Sequence, residues 1–146
     1  MEEMLRGAAV VGQSGGPTAA INATLAGVIK GCFESRDAVT KLYGMKNGIE
    51  GFLGERMCDL GSIFSDEKGD VDTEKLSLLS QTPAAALGSC RKKLPEPSAE
   101  PEFYKKLIAL FKKYDIRYFF YIGGNDSMDT VAKLTKYLET SDYKMR

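Results

Sequence analysis

The stretch Ile116-Arg-Tyr-Phe-Phe-Tyr-Ile-Gly-Gly-Asn-Asp-Ser-Met128 joins a run of aromatic and β-branched residues to two glycines and a polar turn. A run of this composition is typical of a buried β-strand, which we predict over residues 116–122. Asp126 or Ser127 is expected to cap the helix that follows. The predicted apolar stripe of that helix comprises Met128, Val131, Leu134 and Leu138. The order of the stretch is therefore strand, glycine turn, helix.

The same order occurs near the beginning of the chain. Ala8 to Gly12 is a short apolar run that predicts a buried strand, and Gln13-Ser14-Gly15-Gly16 predicts a turn. Pro17 suits the first position of a helix. Apolar residues then recur at helical spacing, at Ile21, Leu25, Val28, Ile29 and Cys32.

Helices and strands are also predicted to alternate between these two stretches. We expect a strand at 39–43, a winding glycine-rich segment with a short helix at 44–61, and a helix from Asp72 or Thr73 to Leu79. A long surface loop is expected from Thr82 to Pro101. Pro101 then begins a helix whose apolar face comprises Phe103, Leu107, Leu110, Phe111 and Tyr114. This alternation predicts an α/β fold, Rossmann-like, with a mainly parallel sheet and helices on both faces.

Composition excludes several functional classes. Twenty basic residues balance twenty acidic ones, so no overall field favours a nucleic acid or a membrane surface. No apolar run is long enough to span a bilayer, and the first residues do not resemble a signal peptide. Three widely spaced cysteines predict free thiols in a reducing cytoplasm. The sequence contains no histidine, which excludes a histidine base or metal ligand within this chain.

Both strand–glycine–helix junctions are candidate anion sites. In a parallel sheet they lie at the carboxyl edge, where open α/β sheets bind ligands. A helix N-terminus there offers unpaired N–H groups and the positive end of the helix dipole, which together favour phosphate. Gly12 to Pro17 matches neither the P-loop nor the Gly-x-Gly-x-x-Gly spacing. The alternative interpretation is that the glycines only form tight turns.

Two further features carry charge. Asn125 or Asp126 offers oxygen ligands suited to Mg²⁺, although Asp126 and Ser127 can equally serve as helix caps. Arg91, in Leu87-Gly-Ser-Cys-Arg-Lys-Lys-Leu94, can hold phosphate oxygens in a bidentate manner, and Lys92 adds charge. Such a basic run alone is more often a solvated loop. In combination, these features predict a phosphoryl-donor site.

The three blocks together resemble the phosphofructokinase family. They are Gly-Gln-Ser-Gly-Gly-Pro-Thr-Ala-Ala-Ile-Asn near the start, Leu-Gly-Ser-Cys-Arg-Lys-Lys-Leu in the middle, and Ile-Gly-Gly-Asn-Asp-Ser, and the resemblance extends from Ala8 to about Leu138. It implies that the chain is a single phosphoryl-donor-binding domain over 1–146. It also implies a cytoplasmic enzyme that is a homo-oligomer when full length and transfers a phosphoryl group to the 1-hydroxyl of fructose 6-phosphate in glycolysis.

The resemblance also implies a role for each matching residue. The donor phosphates would contact Gly12, Gln13, Ser14, Gly15, Gly16, Arg91, Lys92, Gly124, Asn125, Asp126 and Ser127. Arg91 would balance charge as the phosphoryl group moves. Asn125 and Asp126 would lie beside Mg²⁺, the implied cofactor.

One departure from the family pattern concerns the donor. Members that use ATP carry Gly-Gly-Asp-Gly in the last block, whereas this chain has Asn125 and Asp126 after its glycines. An acidic residue at the position of Asp126 is associated with pyrophosphate, because a carboxylate there adds charge and bulk where the ATP α-phosphate would pass. The resemblance therefore implies pyrophosphate as donor, with ATP as the alternative.

The family's catalytic block, Thr-Ile-Asp-Asn-Asp, does not occur in this sequence. Its first aspartate is the base for the sugar hydroxyl, so the resemblance implies an amino-terminal part without the acceptor site, inactive by itself. The last core strand is then expected to have an unpaired edge. Two alternatives from other classes are a non-catalytic phosphate- or nucleotide-binding module and a structural α/β domain.

Overall fold

A computed structural model of the chain describes residues 5–14, 19–81, 86–88, 94–96, 98–123 and 125–146. The strands are β1 (Gly7–Gln13), β2 (Val39–Met45), β3 (Met57–Asp59) and β4 (Ile116–Ile122). The helices are α1 (Ala19–Glu34), α2 (Gly48–Leu53), α3 (Leu60–Ile63), α4 (Thr73–Gln81), α5 (Pro101–Lys113) and α6 (Asn125–Leu138). The strands predicted from Ala8, Val39 and Ile116 are all present, each within two residues of its expected bounds. Pro17 lies outside the described residues.

Within the described residues, four strands form one sheet in the order β3-β2-β1-β4. β1 pairs in parallel with both β2 and β4, which confirms the mainly parallel sheet. β3 is antiparallel to β2 and was not predicted. The chain turns through Asn47 and Gly48, both with positive φ, and the short helix α2 before returning along β2. A strand of three residues is too short to show a period in the sequence.

Helices cover both faces of the sheet, as predicted. Alternate residues of β1 point to opposite sides, so Ala8 and Val10 enter one core while Ala9 and Val11 enter the other. The first core packs against α2, α5 and α6, and the second against α1, α3 and α4. Because both faces are covered, all seven residues of β1 are buried.

Helix α6 differs from its prediction in both its start and its buried face. It begins at Asn125, so Asp126 and Ser127 lie inside its first turn and do not cap it. Of the predicted stripe, Leu134 is buried and Leu138 packs against the core, whereas Met128 is 70% exposed and Val131 38%. Ser127 and Thr130 are buried instead, because the first turn of the helix presents the polar Ser127 to Ser14 at the end of β1. The cap at Asp72 is confirmed, since its Oδ1 accepts from Lys75 N at 3.1 Å.

The segment expected to be a long surface loop is not wholly at the surface. Its described parts, 86–88, 94–96 and 98–100, contain neither helix nor strand, and Pro101 begins α5 as predicted. Leu87 and Leu94 are nevertheless buried, at 9% and 2% exposure. Leu87 belongs to the core beside α1 and Leu94 to the core beside α5. The loop is thus confirmed for its described parts, but the two buried leucines were not predicted, because isolated leucines in a polar, proline-rich stretch give no periodic signal.

The outer edge of β4 is partly paired, contrary to expectation. Arg146 N donates to Arg117 O and Phe119 N donates to Arg146 O, both at 2.8 Å. This is the hydrogen-bond pattern of a parallel bridge at Tyr118. Among the described ranges, no helix is both long and apolar enough to cross a membrane.

Candidate functional site

The candidate site lies where the carboxyl ends of β1 and β4 adjoin. Gly12 and Gln13 pair in parallel with Tyr121 and Ile122, so the two strands end side by side. The sheet extends to β2 on one side of β1 and to β4 on the other. This is a topological switch point, the position at which ligands bind in open α/β sheets. The two glycine junctions singled out in the sequence therefore open at the same edge.

A pair of serines joins the two junctions. Ser14 and Ser127, 113 residues apart, share a hydrogen bond between their hydroxyl groups, and both are buried. Ser14 N also donates to Ile122 O at 2.8 Å. A Cβ on Gly123 would lie 2.5 Å from Ser14 O and would also meet the Ser127 hydroxyl. Gly123 is therefore required for the close approach of the two junctions.

The described part of the first junction, Gly12 to Ser14, is bonded into the sheet and does not form an open loop for an anion. Gly12 and Gln13 are strand residues, and the Ser14 N–H is engaged by Ile122. A Cβ on Gly12 would lie 2.6 Å from Met45 Sδ and 2.9 Å from the Tyr121 ring, so this glycine serves close packing. Gly15 and Gly16 lie outside the described residues.

The Gln13 side chain points into the protein and holds a neighbouring segment. It is fully buried, and its Oε1 accepts from Leu87 N at 2.9 Å. Asn22 on α1, which the sequence analysis did not single out, accepts from Ala86 N through Oδ1 at 2.9 Å. Gln13 Nε2 donates to the same Asn22 oxygen at 3.4 Å. Two buried amides thus fix the backbone at 86–87.

The same segment is fixed from the other side by the turn after β2. Asn47 N donates to Leu87 O at 2.8 Å. Gly88 has φ +74°, a left-handed conformation that favours glycine, and a Cβ there would meet the Asn47 side chain. The stretch Ala86–Gly88, which leads into the basic run, is therefore held by β1, α1 and the β2–α2 turn.

The residues after the basic run are held by helices α5 and α6. Lys133 Nζ on α6 donates to Leu94 O at 2.8 Å and pairs with Asp129 at 2.9 Å. Tyr104 donates its hydroxyl to Pro95 O at 2.6 Å, and burial raises the pKa of this phenol to about 12. Tyr104 therefore stays protonated, and its hydroxyl can donate a hydrogen bond, over the whole physiological pH range.

Several predicted site residues lie outside the described residues, namely Gly15, Gly16, Arg91, Lys92 and Gly124. Asn125 and Asp126 form the first turn of α6, beside Ser127, but their side chains lie outside the description. Within the part of the chain that is described, no group of three or more acidic or cysteine side chains is arranged to hold a metal ion.

Comparisons with known proteins agree with this arrangement. The family model described as phosphofructokinase matches residues 8–143. The pyrophosphate–fructose 6-phosphate 1-phosphotransferase of Halomonas elongata is 44% identical over 133 residues, which are 91% of this chain and 30% of that protein. The protein of the same name from Methylococcus capsulatus is 38% identical over 134 residues, 92% of this chain and 30% of that protein.

A solved structure gives the same result. The pyrophosphate-dependent phosphofructokinase of Nitrosospira multiformis superposes with a TM-score of 0.81 at 38% identity, covering 97% of this chain and 32% of that one. The chain thus spans about 30% of the length of the relatives that it matches. With a family model matched over most of its length and its α/β fold shared with a solved member, the chain belongs to the phosphofructokinase family.

Proposed function

We propose that this chain is the phosphoryl-donor domain, over residues 1–146, of an enzyme that transfers a phosphoryl group from pyrophosphate to the 1-hydroxyl of fructose 6-phosphate. The observation that carries the proposal is the Ser14–Ser127 contact, which joins both glycine junctions at the switch point of the sheet. The names of the Halomonas and Methylococcus relatives support the choice of donor and acceptor. A homo-oligomeric, cytoplasmic enzyme is part of the same proposal.

The donor phosphates would be bound mainly by backbone groups and cations. Gly15 and Gly16 precede α1, and Gly124 precedes α6, so each lies in sequence at a helix N-terminus suited to an anion. Arg91 and Lys92 would neutralise the charge of the phosphates. Gln13 and Ser14 would contribute chiefly by shaping the edge, because the side chain of Gln13 and the N–H of Ser14 bond within the protein.

Asn125 and Asp126 are the proposed Mg²⁺ ligands. Their amide and carboxylate oxygens fit a hard cation, and the first turn of α6 puts them next to Ser127 at the shared edge. When bound, Mg²⁺ would neutralise phosphate charge during transfer. The Asp126 carboxylate would in addition repel the α-phosphate of a nucleotide. The base for the sugar hydroxyl is not among the residues assigned here, so the chain supplies the donor side of the reaction.

Exchanging two residues tests the donor assignment. The test uses the longest natural polypeptide that contains this chain. Asn125→Asp together with Asp126→Gly gives it the Gly-Gly-Asp-Gly pattern of ATP-using members. We expect the ratio of kcat/KM for pyrophosphate to that for ATP to fall at least about tenfold, because the exchange moves the carboxylate away from position 126, and relief of one like-charge repulsion close to a phosphate is worth roughly a kcal/mol or more. Steady-state assays with fructose 6-phosphate and each donor measure it.

The matched control is Asp129→Asn, which removes a carboxylate one turn further along α6, where it pairs with Lys133. It should leave the donor ratio unchanged within a factor of two. An unchanged ratio in the double variant contradicts the role of Asp126, and turnover with ATP alone in the parent protein favours the ATP-dependent alternative.

A further inference from the structure

Residues 143–146, here called the strap, lie along the outer edge of β4. Arg146 N donates to Arg117 O and Phe119 N donates to Arg146 O, both at 2.8 Å, so the strap makes one parallel bridge to the strand. Two backbone hydrogen bonds contribute too little to offset the conformational entropy that is lost when four residues become ordered. Side chains must therefore supply most of the free energy that holds the strap in place.

The Tyr143 side chain anchors the first residue of the strap. It is buried, and it belongs to the core that packs against α5 and α6. Its hydroxyl lies 2.5 Å from Ile116 O and 3.3 Å from Phe111 O, two carbonyls at the start of β4 and near the end of α5. Met145 packs against the same core. Two of the four strap residues are thus fixed by their side chains.

Arg117 holds the strap from the strand side. Its Cζ atom lies 4.1 Å from the centre of the Tyr143 ring, and its Nη1 donates to Lys144 O at 3.0 Å. Its Nε is 3.7 Å from Asp115 Oδ1, and the side chain is only 28% exposed. Stacking on a ring while donating to a carbonyl uses the planar fork of arginine, which lysine lacks. Arg117 is the only charged residue of β4, and this double contact accounts for its place in the strand.

The strand beside the strap has the composition of a self-pairing segment. Residues 118–122 are five consecutive aromatic or β-branched residues without charge, proline or glycine. An open edge of this composition is a template for a strand of another molecule. A cavity of about 750 Å³ beside the strap is lined in part by Phe119, Leu134 and Leu138, so apolar surface adjoins the edge. Release of the strap would free Arg117 O and Phe119 N next to that surface.

We propose that Tyr143 and Arg117 form a latch that keeps the strap on the outer edge of β4, and that the closed strap prevents β4 from pairing with β4 of a second copy of this chain. Pairing of the same edge in two copies follows a two-fold axis and is therefore antiparallel. The latch consists of contacts at the outer edge of the sheet, so this inference does not depend on the proposed function.

Amide hydrogen exchange, followed by two-dimensional NMR, tests the latch. Tyr143→Phe keeps the ring and removes the hydroxyl. Exchange at Phe119 N should then be about tenfold faster, because loss of one buried hydrogen bond increases local opening by about that factor. Arg117→Lys retains the charge but not the planar fork and should act in the same direction. The amides of β1 should exchange at the parent rate in both variants, since the sheet itself stays folded.

Tyr104→Phe is the matched control for Tyr143→Phe. It also removes a hydroxyl that donates to a backbone carbonyl, in this case Pro95 O, from a buried tyrosine of the same core. Exchange at Phe119 N should stay within about twofold of the parent rate. Three results would overturn the latch: a parent rate at Phe119 N in Tyr143→Phe, equal acceleration there in Tyr104→Phe, or equal acceleration throughout β1.

Sedimentation equilibrium tests whether the strap prevents self-association. The dissociation constant for two copies of the chain should fall at least about tenfold in Tyr143→Phe and in Arg117→Lys, because pairing requires the open edge and its population rises about tenfold. It should stay at the parent value in Tyr104→Phe. Faster exchange without tighter self-association would contradict the protective role of the strap. Tighter association in Arg117→Met but not in Arg117→Lys would assign the effect to the charge on the edge and would also contradict it.

Discussion

Arg91→Ala is expected to weaken the binding of pyrophosphate with Mg²⁺ by roughly a hundredfold. The guanidinium can make two charge-assisted hydrogen bonds to phosphate oxygens, and each is worth about 1.5 kcal/mol or more. Arg91→Lys should give an intermediate loss, because it retains the charge but not the planar fork. Isothermal titration of the three proteins measures the effect.

The control for Arg91→Ala is Arg36→Ala, which changes the net charge equally. Arg36 follows α1 at the opposite edge of the sheet and donates to Gly69 O. Its loss should change the dissociation constant by less than about twofold, since an exposed charge at that distance is screened by salt. Equal losses in Arg36→Ala and Arg91→Ala would show that overall charge, and not Arg91, binds the anion.

Gly123→Ala is expected to lower the free energy of unfolding by about 1–3 kcal/mol, the usual cost of forcing a methyl group into closely packed structure. The added Cβ would meet Ser14 O at 2.5 Å as well as the Ser127 hydroxyl, so β1 and α6 must separate. Urea denaturation followed by circular dichroism measures the change.

Gly27→Ala is the matched control for Gly123→Ala. Gly27 lies within α1, and a Cβ there would meet no atom within 4 Å apart from its own stretch of helix. This exchange should raise the free energy of unfolding by up to about 1 kcal/mol, because alanine favours the helix. Changes of the same sign in the two variants would contradict the close approach of the junctions at Gly123.

The sequence predicts the central strands and longer helices well because their signals are dense and local. β4 consists of aromatic and β-branched residues except for Arg117, and α5 has a proline at its start and leucines at helical spacing. β3 has three residues, and its pairing depends on the reversal through Asn47. The buried face of α6 was predicted correctly at Leu134 and Leu138 but not in the first half of the helix, because Ser127 faces Ser14 and the more apolar Met128 is left exposed.

The sequence predicted which two glycine junctions lie together at the candidate site. It did not predict the side chains that hold the neighbouring segments in place. Glycines after two strands are visible in the sequence, and parallel pairing brings both to one edge. Asn22 ends the first motif block but was given no role of its own, and Lys133 lies in no motif, because an amide or a lysine on a helix is usually solvated. Their role depends on a carbonyl or N–H that is 39 or 64 residues away in the sequence.

Calorimetric titration of this chain with pyrophosphate and with ATP, each with Mg²⁺, tests the proposed donor site. We expect pyrophosphate to bind at a single site and ATP to bind at least about tenfold more weakly, because the Asp126 carboxylate would oppose the α-phosphate. Equal or tighter binding of ATP, or no binding of pyrophosphate, would contradict a pyrophosphate-selective donor site formed by these residues.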